Sequence, residues 1–349
     1  MAMSSSVLSW PSILSELLAG RNLDSATTQD VMATILRGDA TAAQIAGFLV
    51  ALRAKGEHVD ELTGLLDGAL AEATFVPLSE AERSRCVDIV GTGGDGSHSI
   101  NVSTMAALVI AGAGVPVCKH GNRSASSKCG SADLLESLGV VIELGADGVA
   151  ACVREAGIGF CFAPVFHPAF RFAGPPRREI GVPTAFNLLG PMANPGRVRR
   201  QVIGVADPRF VEPMALTLQG QGVSNAWVVH GDGLDELTTT GPSMVLAIAD
   251  GSITEFAIDP ADLGLRPATA ADLRGGDPAE NADAIRRVLA GEHGPHRDIV
   301  VLNAAAGLVV GGAVADLAAG LEVAGAAIDD GRAQSALDAL VRVSQAHAE

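Results

Sequence analysis

The chain has 349 residues, 48% of them hydrophobic and 18% charged, with a net charge of −16. That is apolar mass for about two packed domains and too much for a disordered chain. The acidic balance argues against binding nucleic acid or an anionic membrane through the overall field, and 3% aromatics with no tyrosine leave few platforms for stacking bases.

Residues 1–80 read as short amphipathic helices: Val7–Ala19, Thr27–Arg37, Ala42–Ala54 and Val59–Ala71 each carry apolar residues at i, i+3 and i+4. Thr27 and Thr41 are candidate N-caps, and Gly38 and Gly56 candidate stops. At Cys86 the pattern changes. Apolar runs at Cys86–Val90, Val115–Cys118, Val141–Leu144, Phe160–Ala163, Val202–Val205, Ala226–His230 and Ile299–Leu302 read as strands. Helical segments lie between them at Thr104–Ala113, Ala132–Leu138, Ala146–Glu155, Pro208–Gln219 and Asn281–Ala290. Met244–Ala249 and Ile253–Ile258 flank Asp250-Gly251, a hairpin signal, and the chain ends in alanine-rich helices. Alternation of this kind predicts an α/β fold: a small N-terminal helical domain over 1–80, then a large α/β domain over 81–349 with a mostly parallel central sheet.

Five cysteines, Cys86, Cys118, Cys129, Cys152 and Cys161, are scattered and show no CxxC spacing. They read as buried thiols of a reduced, cytoplasmic chain, with no zinc site expected. The first basic residue is Arg21, so the start does not read as a signal peptide. The uncharged stretches 96–118 and 299–315 carry Gly, Ser or Asn and read as buried αβ units, with no membrane span expected.

The acids are unevenly spread. Residues 96–132 contain none, yet include Lys119, Arg123 and Lys128; 156–206 hold only Glu179 against Arg171, Arg177, Arg178, Arg197, Arg199 and Arg200. Basic, acid-poor segments in an acidic chain point to an anionic ligand. The first opens with Gly91-Thr92-Gly93-Gly94-Asp95-Gly96 directly after an expected strand. Glycines there let backbone N–H groups close around a phosphate. A dinucleotide site would want an acid at the end of the next strand for the ribose; this chain has Lys119, which suits phosphate. Ser97 to Thr104 then cluster hydroxyls and an amide before a helix, and Lys119 to Lys128 combine cations, donors and small residues. Downstream, Asp235-Glu236 follows another strand, and hard carboxylate oxygens beside a phosphate site suit Mg²⁺. Each feature also fits a blander role: a tight turn, an N-cap, a solvated basic loop, a solvated acidic surface.

Taken together these motifs resemble the anthranilate phosphoribosyltransferase family. The matching pieces are Gly91 to Asp95, Asn101-Val102-Ser103-Thr104, Lys119 to Ser127, Gly130-Ser131-Ala132-Asp133, Phe162-Ala163-Pro164, His167-Pro168, Phe186 to Pro191, and Asp235-Glu236. The resemblance implies transfer of a phosphoribosyl group from 5-phosphoribosyl 1-pyrophosphate to the amine of anthranilate, in tryptophan biosynthesis. It implies that Gly91, Gly94, Asp95, Ser99, Asn101, Val102, Ser103 and Thr104 hold the ribosyl phosphate and pyrophosphate. Lys119, Asn122, Arg123, Ser124, Ala125, Ser126 and Ser127 would form a mobile loop closing over them, with Ser131 nearby. Anthranilate would meet Gly91, Asn122 and Arg177, the last through its carboxylate, with His120, Pro164, His167 and Pro191 along its path. Ser103, Asp235 and Glu236 would hold Mg²⁺. The implied architecture resembles that of the nucleoside phosphorylases, dimeric through the helical domain, with helix from about 178–195 returning to it. Two positions depart from the family's usual residues: Val182-Pro183-Thr184 stands in place of Ile-Arg-Thr, and Cys129 in place of Ser.

The chemistry is consistent with that resemblance. An aromatic amine carries a lone pair at neutral pH, so it needs orientation more than deprotonation, and no obligatory base is assigned. His120 is a candidate to receive the amine proton. A pyrimidine nucleoside phosphorylase would share the architecture but carry a different phosphate loop. A non-catalytic nucleic-acid-binding relative conflicts with the charge of −16.

Overall fold

The computed structural model of the chain describes residues 8–124 and 128–348. The chain divides into two compact units. One takes the chain up to Ala73 together with His167–Ala193; the other takes Thr74–Phe166 and everything from Asn194 onward. The sequence-based limits were 1–80 and about 178–195 for the helical unit.

The helical unit contains α1 (Trp10–Leu18), α2 (Ser25–Leu36), α3 (Ala42–Lys55) and α4 (Val59–Ala71). Thr41 caps α3 in a reciprocal box with Gln44. Asp24, not Thr27, caps α2, and the Thr27 N–H donates to its carboxylate at 2.7 Å. The charged acceptor sits three residues earlier, where the orphan N–H groups of the first turn point. α2 packs on α4 through Gly64 and Gly68; a Cβ on Gly64 would overlap the Ser25 carbonyl oxygen and the Thr28 hydroxyl. The returning segment supplies helices Gly174–Ile180 and Ala185–Met192, which pack on α3 and α4.

The larger unit is built on one sheet of β1 (Val87–Gly91), β2 (Val117–Gly121), β3 (Ile158–Phe162), β4 (Arg200–Gly204), β5 (Asn225–Gly231), β6 (Ser243–Ala249) and β7 (Ser252–Ile258). Their order is β3-β2-β1-β4-β5-β6-β7. The first five are parallel, and the β6–β7 hairpin adds an antiparallel edge. The strand order reverses at β1: the chain builds outward to β3, then returns to place β4 on the other side. Ligands of such sheets lie beyond the carboxyl ends of the strands at that reversal.

Two expected strands are absent. Ile299–Leu302 lies inside the helix Pro295–Val310, which is buried along almost its whole length. A helix apolar all round offers no amphipathic stripe, and a four-residue run cannot be told from a buried strand by periodicity. Residues 141–144 alternate in burial as a strand would but lie outside the sheet, and the Val141 N–H donates to Ser344 Oγ at 3.1 Å.

The tight α2–α4 contact makes a stability prediction. In an open helical position Gly→Ala stabilises by up to about 1 kcal/mol. At Gly64 the new methyl has no room, so Gly64→Ala should instead cost about 1–3 kcal/mol. Thermal unfolding followed by circular dichroism checks it, and a raised midpoint would contradict the packing.

A candidate phosphate and cation site at the strand ends

β1, β2, β4 and β5 all end in glycine: Gly91, Gly121, Gly204 and Gly231. Gly91 and Gly204 are paired in register. A Cβ on Gly204 would overlap the Asp235 carbonyl oxygen, one on Gly91 the Asp235 carboxylate, and one on Gly231 the Glu236 carbonyl oxygen. These three glycines therefore form a notch that seats residues 235–236. Gly93 and Gly94 serve differently. Their φ angles are +68° and +80° with nothing within 4 Å of an added Cβ, so they are needed for the turn itself.

The acid pair is gripped from three sides. Gly93 N–H donates to Asp235 Oδ2 at 2.7 Å. Ser103 N–H, in the first turn of the helix Val102–Gly112, donates to Glu236 Oε1 at 3.2 Å. That places a carboxylate at the positive end of a helix. Behind the pair, the fully buried Asn303 of the helix Pro295–Val310 grips both backbone groups of one residue: its Oδ1 accepts the Leu237 N–H at 3.0 Å, and its Nδ2 donates to the Leu237 carbonyl at 2.7 Å.

The electrostatics are crowded. Burial, with Asp95 opposing as a like charge, pushes Asp235 up to about 7. Burial and then Asp235 raise Glu236 well above the carboxylate range. The internal cation is Lys119, 2% exposed, whose Nζ donates to the Ile89 carbonyl and, at 3.3 Å, to Ser103 Oγ. Below it Asp88 is fully buried. Its Oδ1 accepts the His120 N–H at 3.2 Å, and its Oδ2 accepts Asn194 Nδ2 at 2.7 Å. Burial raises Asp88 to about 6, with Lys119 pulling the other way. Hydroxyl and carboxylate oxygens beside an electron-rich notch fit a hard divalent cation. Among the described residues no three His, Cys, Asp or Glu side chains form a ready cage, so such a cation would be completed by ligand oxygens.

The other expected residues fall as follows. Asp95 takes the Ser97 N–H at 3.1 Å, and Ser97 and Ser99 hydroxyls lie 3.2 Å apart. Asn101 precedes the helix Val102–Gly112, with Val102 and Thr104 buried and Ser103 half-buried. Lys119 and His120 are not loop residues: both are buried within β2, because the strand starts and ends later than its apolar run. Arg123 is not a spare cation either. It pairs with Asp133 and Glu136, each at 2.8 Å, acids just past the acid-free window. Asn122 is exposed, its carbonyl accepting the Ser131 hydroxyl at 3.1 Å, and Ser124 N–H donates to Asp133. Ala125, Ser126 and Ser127, and with them the expected loop closure, lie outside the described residues. Pro164 is exposed.

Within the helical unit, Pro191 is buried. His167 is 2% exposed, donates Nε2–H to the Ala193 carbonyl at 2.9 Å and stacks on Phe170. Phe170 meets Phe186 edge-on at 5.2 Å, and the Arg177 guanidinium lies 4.8 Å above the Phe186 ring. Arg177 is half-buried and has no carboxylate partner among the described residues, whereas Arg178 is exposed.

Asp88, Asn194, Gly204 and Asn303 were not singled out from sequence. Each has a faint signal, a polar residue or glycine interrupting an apolar run, as in Leu302-Asn303-Ala304. The notch generates a prediction. Gly204→Ala should displace residues 235–236 and speed hydrogen exchange at the Gly93 and Leu237 amides. Gly220→Ala, with open space around its Cβ, is the control. Equal protection in both variants would show that the segment does not need the notch.

Comparison with known proteins follows the same division. A family model described as glycosyl transferase family, helical bundle domain, matches residues 11–73, and one described as glycosyl transferase family, a/b domain, matches residues 83–334. The chain is 52% identical over 342 residues to an anthranilate phosphoribosyltransferase of Salinispora arenicola, covering 97% of each. It is similar to the crystal structure of anthranilate phosphoribosyltransferase from Thermus thermophilus, with 40% identity, a TM-score of 0.88, and 95% of this chain and 99% of that one covered. The Saccharomyces cerevisiae enzyme, in complex with phosphoribosyl pyrophosphate and Mg, matches with 27% identity and a TM-score of 0.89 over 98% of this chain and 99% of that one.

Proposed function

The chain belongs to the anthranilate phosphoribosyltransferase family, and from that premise we propose how its residues divide the work. It transfers the phosphoribosyl group of 5-phosphoribosyl 1-pyrophosphate to the amine of anthranilate, a step of tryptophan biosynthesis. The reading of the site rests on one observation above all: two crowded carboxylates, one held by a glycine loop and the other by a helix N-terminus, at the sheet's reversal point.

In this reading the backbone around Gly91, Gly94 and Asp95, with Ser99 and Asn101 to Thr104, binds the phosphoribosyl pyrophosphate. Lys119 contributes positive potential from within β2, and Ser124 and Ser131 border the site. Arg123 joins only by exchanging Asp133 and Glu136 for phosphate. Ser103, Asp235 and Glu236 hold Mg²⁺. When bound there, Mg²⁺ would supply positive charge to offset the charge developing on the departing pyrophosphate. The C1′–oxygen bond breaks, the amine nitrogen forms the new C1′ bond, and the amine then loses a proton. His120, buried in β2, remains the candidate acceptor. Arg177 holds the anthranilate carboxylate, its guanidinium packed over the Phe186 ring. Gly91, Asn122, Pro164 and Pro191 are the further candidate contacts for the aromatic.

The helical unit is the proposed dimer contact, where α1 and α3 expose Leu18 and Val50 at 78% and 47%. No helix among the described residues is long and apolar enough to cross a membrane. We place the enzyme in the cytoplasm.

Two measurements test the assignments. Asp235→Asn combined with Glu236→Gln keeps shape but removes charge, so turnover should fall strongly and the Mg²⁺ titration should shift. An unchanged titration and turnover number would remove these residues from the cation site. Arg177→Ala should raise the Michaelis constant for anthranilate by roughly 10- to 150-fold, the worth of one charge-assisted contact of about 1.5–3 kcal/mol. The constant for phosphoribosyl pyrophosphate should hardly change. Arg178→Ala is the control, since neighbours on a helix point about 100° apart. If neither variant moves the anthranilate constant, the carboxylate is held elsewhere.

A further inference from the structure

The segment leading into the helix Pro278–Leu289 closes on the phosphate loop through its backbone. Ile100 N–H donates to the Leu273 carbonyl at 3.0 Å, and Gly275 N–H to the His98 carbonyl at 2.8 Å. The approach is tight: a Cβ on Gly275 would lie 2.6 Å from Asn281 Oδ1 and 2.8 Å from the Ser99 carbonyl oxygen. Asn281, 2% exposed, projects from that helix into this junction.

Its amide has only one workable orientation. The Gly276 N–H donates to Asn281 Oδ1 at 2.9 Å, so the oxygen must face that peptide and Nδ2 must face the other way. There Asn281 Nδ2 donates to Asn101 Oδ1 at 2.9 Å. This in turn fixes Asn101, whose Nδ2 donates to the Cys129 carbonyl at 3.1 Å while its oxygen also receives the Cys129 thiol at 3.2 Å. One backbone N–H thus sets the polarity of two successive amides. It leaves Asn101 with its oxygen occupied and one amide hydrogen without an acceptor among the described residues. A hydrogen in that position suits an acceptor-rich anion such as a phosphate.

We propose that Asn281 is a positioning residue for phosphoribosyl pyrophosphate: it fixes the Asn101 amide so that a hydrogen, not an oxygen, meets the phosphate oxygens. The inference rests on the reading of Asn101 as a ligand of that substrate. Asn281→Asp is the informative change. The introduced carboxylate still accepts from Gly276 but cannot donate to Asn101. The Asn101 amide then turns over and presents its oxygen to the anion.

Steady-state kinetics, with calorimetric binding of phosphoribosyl pyrophosphate in the presence of Mg²⁺, are measured for Asn281→Asp, Asn101→Ala and the double variant. Asn281→Asp should raise both the Michaelis constant and the dissociation constant for phosphoribosyl pyrophosphate about 10-fold, one hydrogen bond to a charged group. The anthranilate constant should move less than about 2-fold. In the Asn101→Ala background the same substitution should add less than about 2-fold, because the residue it acts through is gone. A full effect in both backgrounds, or parallel rises for both substrates, would overturn the proposal and leave Asn281 a structural residue. If Asn281→Asp does not fold, Asn281→Ala enters the same cycle, with an effect of about 3-fold expected only where Asn101 is present. If Asn101→Ala alone leaves binding unchanged, Asn101 is not a ligand; that result overturns the underlying reading and is distinct from a failed cycle.

Discussion

The site depends on how closely residues 235–236 approach the ends of β1, β4 and β5. Two acidic residues are brought within reach of a loop backbone and a helix N-terminus only because three strand-terminal positions have no side chain. The notch, the hydrogen bonds from Gly93 and Ser103, and the Asn303 grip on Leu237 all enforce one position of one peptide segment. Packed interiors do not yield gradually, so a methyl group in the notch would shift the segment rather than compress it.

The same segment explains the placement of Lys119. A lysine buried in the middle of a parallel sheet has no reason to be there on packing grounds. Here it is flanked by Asp88 on one side and by Asp235 and Glu236 on the other, with the Ile89 carbonyl and Ser103 hydroxyl accepting its protons. Asp88 in turn is held by Asn194 and the His120 backbone. Polar groups buried in this way are useful only as a connected set, since removing one leaves its neighbours without partners.

Much of this was legible along the chain. The turn from helical periodicity to strand–helix alternation near Cys86 is a local property, and so are the glycine loop at Gly91 to Asp95 and the Asp235-Glu236 pair. What was not legible is long-range. Asn281 finds Asn101 across 180 positions, and Asn303 finds Leu237 across 66, with nothing local to suggest either. Arg123 illustrates the opposite error: it reads as a free cation because its partners Asp133 and Glu136 fall just outside the window that defines the basic segment. The Ile299–Leu302 run fails for a third reason. A helix buried on every side has no period to read.

The crowding of acids has a consequence for how the protein meets a cation. Asp95, Asp235 and Glu236 share their space with one internal lysine, and burial holds Asp235 near neutrality. Near pH 7 part of that charge is therefore masked by bound protons rather than by counter-ions. If a divalent ion is held there as proposed, it would exchange with those protons, and its uptake would acidify the medium. The heat of that uptake would then depend on the ionisation enthalpy of the buffer, a signature of linkage that precedes any transformation of substrate.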